Sequence, residues 1–363
     1  MSALPPGSTL GILGGGQLGR MLAMAAARLG IRCCFVSPDA DPPAADVALH
    51  IRGGYDDPEA LRQLAEHADV ITYEFENVDV GAAQSLSKTV PLRPSAEALR
   101  VAQDRLVEKK ALADSGIPTA PFAEVVDSSS VVEAFTRWGK CVVKTRRFGY
   151  DGKGQVVVTN EARAAAAWDE LGQEPAIVEG WVDYACEASV IVARGIDSGL
   201  ASFDVVRNEH QNNILRRSSV PSGLSAEVEA RATALAESIA VKLDYVGVLG
   251  VELFVGADGS LCVNEIAPRV HNSGHWTTDA CYTSQFEQHV RAVMGWPLGS
   301  ARRHSDAVME NLIGDEVHDW RRWAAQERTS VHLYRKDEAK PGRKMGHVTR
   351  CSSVEPKQPQ NLL

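Results

Sequence analysis

The chain has 363 residues, 44% of them hydrophobic and 23% charged, which suits two or three domains with ordinary cores and leaves no room for long disorder. Its formal net charge of -9 excludes a general nucleic-acid binder, and no apolar run reaches the length of a membrane span. The seven cysteines are odd in number and lack a C-x-x-C, so they read as reduced thiols; the opening MSALPPGST also lacks the basic start of a signal peptide, and together these predict a cytoplasmic protein.

In chain order, 9–13 predicts a short buried strand. GILGGGQLGRM follows, with Gly14–Gly16 turning the chain and an alanine-rich helix over 18–29 that Gly30 stops. A strand is expected over 31–36, a helix over 61–67, and a buried strand at DVITYEF, 69–75. Strand alternating with helix implies a parallel α/β sheet, closed by Pro91 and Pro94. The charged stretch 95–116 is helical and stops at Gly116 and Pro118. Then 140–159, 176–182 and 187–195 are strand-rich with tight turns, so antiparallel pairing is expected. A helix over 226–243 leads into YVGVLGVELFVGADGSLCVNEIAPR. Beyond about Pro297 the chain is more charged and reads as a small appended domain ending in a frayed EPKQPQNLL.

The sharpest physical signal is a hairpin. Two apolar runs flank ADGS, and Asp258-Gly259 suits a type I′ turn. Counting outward, Val255 faces Cys262, Leu253 faces Asn264, and Glu252 faces Glu265. Like charges directly opposite repel, and a divalent cation would relieve them. Carboxylates without His or Cys select Mg²⁺ or Mn²⁺. Alternation turns Asn264 to the other face.

A second candidate is VVKTRRFGYDGKGQVVV. Lys144 sits on a strand, and Arg146, Arg147, Gly149, Gly152, Lys153 and Gly154 occupy the turn beyond it. Glycines let bare amides approach a phosphate, and lysine supplies a compact charge. The bland reading is a basic solvated hairpin. In EGWVDYACE the extended backbone could meet an adenine edge, and Glu187 a ribose.

The opening loop fits G-x-G-x-x-G through Gly14, Gly16 and Gly19. A dinucleotide reading needs an acidic residue at the end of the second strand, but that strand runs into Ser37-Pro38 and Asp39 is poorly placed. The loop is better read as a cradle for a monophosphate or nucleotide-like substrate. His271 and His275 have the i, i+4 spacing of a zinc pair, but Pro268 and Gly274 argue for a substrate-facing loop. Trp168, Trp181, Trp320 and Trp323 read as packing residues, and Cys33-Cys34 as an inert pair in a buried strand.

Taken together, GILGGGQLGRM, TYEFENV, FGYDGKGQ and NEIAPRVHNSGHWT resemble the ATP-grasp ligases, and among them the N5-carboxyaminoimidazole ribonucleotide synthetases, from about Leu10 to about Thr349. The resemblance implies an ATP-grasp fold, α/β and α+β in class. An N-terminal parallel α/β domain would span 1–103, the ATP-grasp domain 104–296 with a mobile lid at about 121–183, and a small β-rich C-terminal domain 297–363. It implies carboxylation of 5-aminoimidazole ribonucleotide (AIR) by bicarbonate with MgATP, through carboxyphosphate, in a cytoplasmic homodimer that binds neither nucleic acid nor membrane.

Carried over residue by residue, the resemblance assigns ATP to Arg105, Lys144, Gly149, Tyr150, Asp151, Gly152, Lys153, Gly154, Gln155, Glu179, Gly180, Trp181, Val182, Glu187, His210, Asn264 and Glu265. It assigns AIR to Gly16, Gln17, Leu18, Glu74, Asn77, Tyr150, Asp151, Lys153, His271 and His275, with Lys336, Arg343 and Lys344 for its phosphate. Lys144, Tyr150, Asp151, Lys153, Arg269 and His275 would be catalytic, with Asp151 or His275 taking the amine proton. Glu252 and Glu265 would hold the metal. Lys153 stands where members carry arginine, so charge is kept and a bidentate grip is lost. The competing readings are an ATP-grasp transformylase using formate, an NAD-dependent oxidoreductase, and a non-catalytic nucleotide sensor.

Overall fold

The computed structural model describes residues 2–149 and 152–354, so Tyr150, Asp151 and the EPKQPQNLL end lie outside the described residues. The N-terminal unit comprises β1 (Thr9–Leu13), α1 (Gln17–Arg28), β2 (Arg32–Ser37), β3 (Leu49–Arg52), α2 (Pro58–His67) and β4 (Val70–Tyr73). Its strands form a parallel sheet in the order β3-β2-β1-β4. Gly30, at φ +70°, ends α1 as expected, and the Ile31 N–H returns to the Ala26 carbonyl at 3.0 Å. β3 is an addition to the sequence reading: LHIR is a half-exposed edge strand too short to show periodicity.

α3 (Val80–Leu86), α4 (Ala96–Gln103) and α5 (Arg105–Asp114) follow. The charged stretch is thus two helices. Asp104 leaves helical geometry at φ -122°, ψ 112°, and its carboxylate accepts from the Leu106 and Val107 N–H groups. It is the N-cap of α5, and the break aims Arg105 and Glu108 into a cleft.

A lobe follows, made of β5 (Phe122–Val125), α6 (Ser128–Trp138), β6 (Cys141–Thr145), β7 (Gln155–Val158), α7 (Glu161–Glu170) and β8 (Ala176–Gly180). Its antiparallel sheet runs β5-β8-β6-β7 and has its own core, including Val131, Val143, Val158 and Val178. Neither helix was read from the sequence, although each has a polar N-cap, Asp127 and Asn160.

The rest is one large antiparallel sheet. β9 (Cys186–Arg194), β10 (Leu200–Ser202), β11 (Val206–Gln211) and β12 (Ile214–Val220) precede α8 (Ala226–Lys242). β13 (Gly247–Val255) and β14 (Leu261–Ala267) lead to α9 (Thr277–Ala280) and α10 (Gln285–Met294). β15 (Ser305–Ile313), α11 (Trp320–Ala324), β16 (Thr329–Leu333) and β17 (Lys344–Ser353) complete the described chain. The order is β14-β13-β9-β11-β12-β15-β17-β16, with β10 beside β9, so the C-terminal strands continue the sheet.

The β13–β14 hairpin differs from the count in a revealing way. Its turn is a three-residue loop: the Gly256 N–H meets the Ser260 carbonyl at 2.9 Å, and Gly259 has φ +78°. Val255 therefore faces Leu261 and Leu253 faces Val263, one residue off the expectation. A bulge at Asn264 then restores the register, and Glu252 does face Glu265. Two offsets of one residue cancel.

Candidate active site

The N-terminal unit, the lobe and the large sheet enclose a cleft of about 630 Å³. Glu252, Asn264 and Glu265 all line it, because the bulge turns Asn264 and Glu265 to the same side. The expectation that Asn264 points away is corrected by that bulge. Each facing carboxylate is engaged by a protein group: the Arg105 guanidinium Nη1 lies 2.7 Å from Glu265 Oε2, and the His271 imidazole Nε2 lies 2.9 Å from Glu252 Oε1. Relief of repulsion alone therefore does not demand a metal, contrary to the sequence argument. Burial pushes the Glu265 carboxyl up, but Arg105, Lys144 and His271 together hold it down at about 2.

Glu252 ends a buried chain of hydrogen bonds whose donors all point one way. The Ser218 hydroxyl donates to Asn208 Oδ1 at 2.8 Å, Asn208 Nδ2 donates to Ser189 Oγ at 3.0 Å, and the Ser189 hydroxyl donates to Ser273 Oγ at 2.6 Å. Ser273 Oγ is 2.8 Å from His271 Nδ1, and the Ser273 N–H also points at that nitrogen. Nδ1 is thus the acceptor, and the Nε2 proton goes to Glu252.

On the lobe side, Lys144 Nζ donates to Glu179 Oε2 at 2.9 Å. Lys109, only 1% exposed, stands 3.7 Å from the same oxygen and donates to the Val263 and Asn264 carbonyls at 3.2 and 2.8 Å. Its ammonium thereby holds the bulge. Beside it, burial and the charge of Glu265 push the Glu108 carboxyl up to about 8.

The opening loop holds no open phosphate cradle. The Glu74 carboxylate accepts from the Gly16 and Gly19 N–H groups at 2.5 and 2.7 Å and caps α1. A Cβ on Gly14, at φ +118°, would lie 2.2 Å from Glu74 Cγ. The glycines make room for that carboxylate, which stands where a dinucleotide pyrophosphate would have to sit.

Three family models match the chain: a ribonucleotide synthetase preATP-grasp domain over residues 8–103, an ATP-grasp domain over 110–286, and a phosphoribosylaminoimidazole carboxylase C-terminal domain over 307–357. The N5-carboxyaminoimidazole ribonucleotide synthase of Brucella melitensis is 51% identical over 353 residues, 96% of this chain and 98% of that one. The chain belongs to the N5-carboxyaminoimidazole ribonucleotide synthase family. A crystal structure of an ADP complex of such a synthetase superposes with a TM-score of 0.94 at 42% identity, covering 97% of this chain and 94% of that one. The Aspergillus clavatus synthase, in complex with ADP and AIR, gives a TM-score of 0.89 at 31% identity, covering 95% and 94%. The fold is the family's ATP-grasp fold with its preATP-grasp sheet and C-terminal region, and the chain is an ATP-binding ligase.

Most residues that the family pattern singles out meet in this cleft. Gln17, Leu18, Glu74, Asn77, Arg105, Lys144, Gly149, Gly152, Lys153, Gln155, Glu179, Gly180, Trp181, Val182, Glu187, His210, Arg269, His271, His275 and Lys344 line it. Gly16 stands behind Glu74, and the Gly154 carbonyl accepts from the Thr145 N–H. The Gly180 and Trp181 N–H groups are already bonded to the Pro121 and Lys140 carbonyls, so their amides do not serve an adenine edge. Glu187 is paired with His210 and accepts from the Tyr184 hydroxyl at 2.8 Å; burial raises this carboxyl, but His210 draws it below its ordinary value.

Three readings need correction. Arg343 is exposed and donates to the Glu338 carbonyl at 3.1 Å, so it is not brought to the cleft. Lys336 is not among the lining residues: its Nζ lies 2.6 Å from the Lys344 carbonyl, although its charge still reaches the Glu74 carboxyl. His275 is no base in this arrangement: its Nδ1 accepts from Gln285 Nε2 at 3.0 Å, so Nε2 carries the proton. The tryptophans divide: Trp168 packs in the lobe core, but Trp181 stands at the cleft with Lys140 Nζ 3.1 Å from its ring centroid, and Trp320 is exposed. All seven cysteines are unpaired, and burial raises the Cys33 and Cys34 thiols to about 12, as an inert pair requires.

The sequence reading missed Glu76, which clamps Arg269 through Nη2 at 3.0 Å and through Nε, as well as Lys109, Glu108, Gln285 and the serine–asparagine chain. Glu76 lies within TYEFENV and Ser273 within NEIAPRVHNSGHWT, but neither position shows a role there, and the others carry no such motif.

Proposed function

We propose that this chain uses ATP and bicarbonate to carboxylate the exocyclic amine of AIR, releasing ADP and phosphate. The observation that supports this reading best is one cleft holding a phosphoryl-transfer end (Lys144, Arg105, Glu252, Glu265) and a second polar end (Glu74, Arg269, His271, His275).

Bicarbonate is a poor electrophile, so its oxygen first takes the γ-phosphoryl group and ADP leaves. The carboxyphosphate formed is a mixed anhydride. The AIR amine attacks its carbonyl carbon, the carbon–oxygen bond to phosphorus breaks, and phosphate departs. Lys144 and Arg105 neutralise charge on the phosphoryl oxygens. The turn from Gly149 to Gln155 covers the triphosphate, and Glu187 with His210 takes the ribose. Gln17, Leu18, Glu74, Asn77, Lys153, Arg269, His271 and Lys344 orient AIR. His275 donates its Nε2 proton as a hydrogen bond. Asp151, which lies outside the described residues, is the base that the motif leaves for the amine proton.

The donor set fits a hard divalent cation: two carboxylates and the buried, unpartnered Oδ1 of Asn264, with no thiolate. Mg²⁺ held by Glu252 and Glu265 would neutralise the triphosphate during transfer. The lobe, with its separate core, closes over the cleft and keeps water from the anhydride. Gly152 packs on Asn213, at the β11–β12 turn opposite. Unpaired cysteines suit a reducing cytoplasm, and the family resemblance supports a homodimer.

The test is ADP release by the purified chain with AIR and bicarbonate added singly and together. Turnover is expected only with both. Turnover indifferent to AIR, or restored by formate in place of bicarbonate, would overturn the assignment.

A further inference from the structure

Away from the cleft, three adjacent strands set polar side chains in a row on one face of the sheet. Asn311 on β15 faces His347 on β17, and His347 faces His332 on β16. Thr349 lies two residues beyond His347 on the same face of β17. Asn311, His347 and Thr349 are fully buried, and Asn311 Oδ1, His347 Nε2 and Thr349 Oγ1 have no hydrogen-bond partner. A buried polar atom left without a partner is unfavourable. Three at neighbouring positions mark a place built for something that the polypeptide itself does not supply.

Asp279 of α9 closes this place. Its Oδ2 lies 2.9 Å from His332 Nε2, and one ligand atom each from Asp279, His332 and His347 lies within 4.8 Å of the other two. The opposite nitrogen of His347, Nδ1, is 2.7 Å from the Tyr334 hydroxyl. With Tyr334 oxygen accepting the Nδ1 proton, Nε2 presents a bare lone pair. That is the form in which imidazole binds a metal, and an outer partner on the far nitrogen is how metal-binding histidines are held.

We propose that Asp279, His332 and His347 form a second cation site, for a transition-metal dication of the zinc class. Two imidazoles and one carboxylate select zinc-like ions over Mg²⁺, and three protein ligands leave a fourth position for water. Bonds of about 2.0–2.2 Å place tetrahedral ligand atoms about 3.4 Å apart, so the His332 and His347 rings, stacked at 4.4 Å and 9° without the ion, turn out of parallel until their Nε2 lone pairs converge on it. His332 turns its Nε2 lone pair inward and keeps its proton on Nδ1, and Asp279 exchanges its hydrogen bond for the ion.

None of the three residues lines the cleft, yet the site braces its wall. Tyr334, which holds His347, lines the cleft, and so does His275, whose ring centroid is 4.8 Å from that of His347. The ion ties α9 to β16 and β17 behind these two residues.

The test begins with chelator-dialysed protein in excess Mg²⁺, titrated with Zn²⁺ against a chromogenic zinc indicator. Wild type and Glu265→Gln are expected to take up one Zn²⁺ per chain and to melt at a higher temperature once loaded. Asp279→Asn and His332→Asn, whose side chains are partly exposed, are expected to lose the affinity by about 100-fold and the thermal gain with it. The melting temperatures of the metal-free variants check their folding. A second measurement needs no variant: Co²⁺ added to the wild-type chain should broaden the imidazole NMR resonances of His332 and His347 and spare that of the exposed His318. No zinc uptake by wild type, uptake that both variants retain, or broadening confined to other histidines would overturn the proposal and leave the row to buried water.

Discussion

The hydroxyl of Ser189, in the middle of β9, donates to the hydroxyl of Ser273 at 2.6 Å, across 84 positions of chain. Through Ser273 and His271 this bond sets the proton that Glu252 accepts. In Ser189→Ala, Asn208 Nδ2 loses its acceptor and Ser273 loses its donor. We expect a loss of about 1–2 kcal/mol in stability and about tenfold in kcat, with the KM for ATP little changed. Urea unfolding and steady-state kinetics check both; full activity in the variant would remove the chain from the mechanism.

Lys109→Met should be more damaging. The substitution strips the Val263 and Asn264 carbonyls of their donor and leaves Glu179 with Lys144 as its nearest cation. Breaking such a buried arrangement costs about 3 kcal/mol. Because the bulge carries Glu265, the divalent-cation requirement should rise together with the loss in unfolding free energy. Loss of stability without a shift in the Mg²⁺ dependence would limit Lys109 to the core.

Gly14→Ala tests the reading of the opening loop. The positive φ and the 2.2 Å approach to Glu74 Cγ make any side chain there displace the carboxylate from the α1 amides. A destabilisation of about 2–3 kcal/mol is expected, with the KM for AIR rising more than that for ATP. Equal rises would mean that the loop does not belong to the AIR end.

Acid should weaken the seam between the N-terminal unit and the large sheet. His289 accepts from the Val248 N–H at Nδ1 and donates from Nε2 to Thr72 Oγ1 at 2.8 Å, and burial lowers its pKa to about 3. A folded-state value below the ordinary 6.5 means that this contribution is whole above pH 6.5 and declines as pH falls toward 3. The slope is about 1.4 kcal/mol per pH unit. Between pH 6.5 and 5 the wild type should therefore lose about 2 kcal/mol more than His289→Gln in urea titrations. Parallel pH profiles would contradict the assignment.

Sequence spacing exposed what is local. The strand–helix alternation, the stop at Gly30 and the opposition of Glu252 and Glu265 were all legible. The last was right although the turn was not, because the three-residue loop and the Asn264 bulge offset each other. No count along the hairpin could reveal that bulge, since the ammonium that holds it belongs to α5, more than a hundred residues earlier. The role of Glu74 was hidden for a similar reason. G-x-G-x-x-G announces an anion at a helix start, but the anion is a side chain from beyond the end of β4. Ser189 and Asn208 have no motif, and Ser273 shows no role within NEIAPRVHNSGHWT, because their chemistry exists only once β9, β11 and the segment after β14 are adjacent.

Glu252 and Glu265 are proposed to act as one oxygen-donor pair for the cation that accompanies the triphosphate. The most direct measurement counts free Mn²⁺ by electron paramagnetic resonance in the presence of a non-hydrolysable ATP analogue, for wild type, Glu252→Gln and Glu265→Gln. We expect each substitution to weaken Mn²⁺ binding in the ternary complex by about tenfold or more, equivalent to about 1.4 kcal/mol, while the analogue still binds without metal. Mn²⁺ affinity equal to wild type in both variants would contradict it.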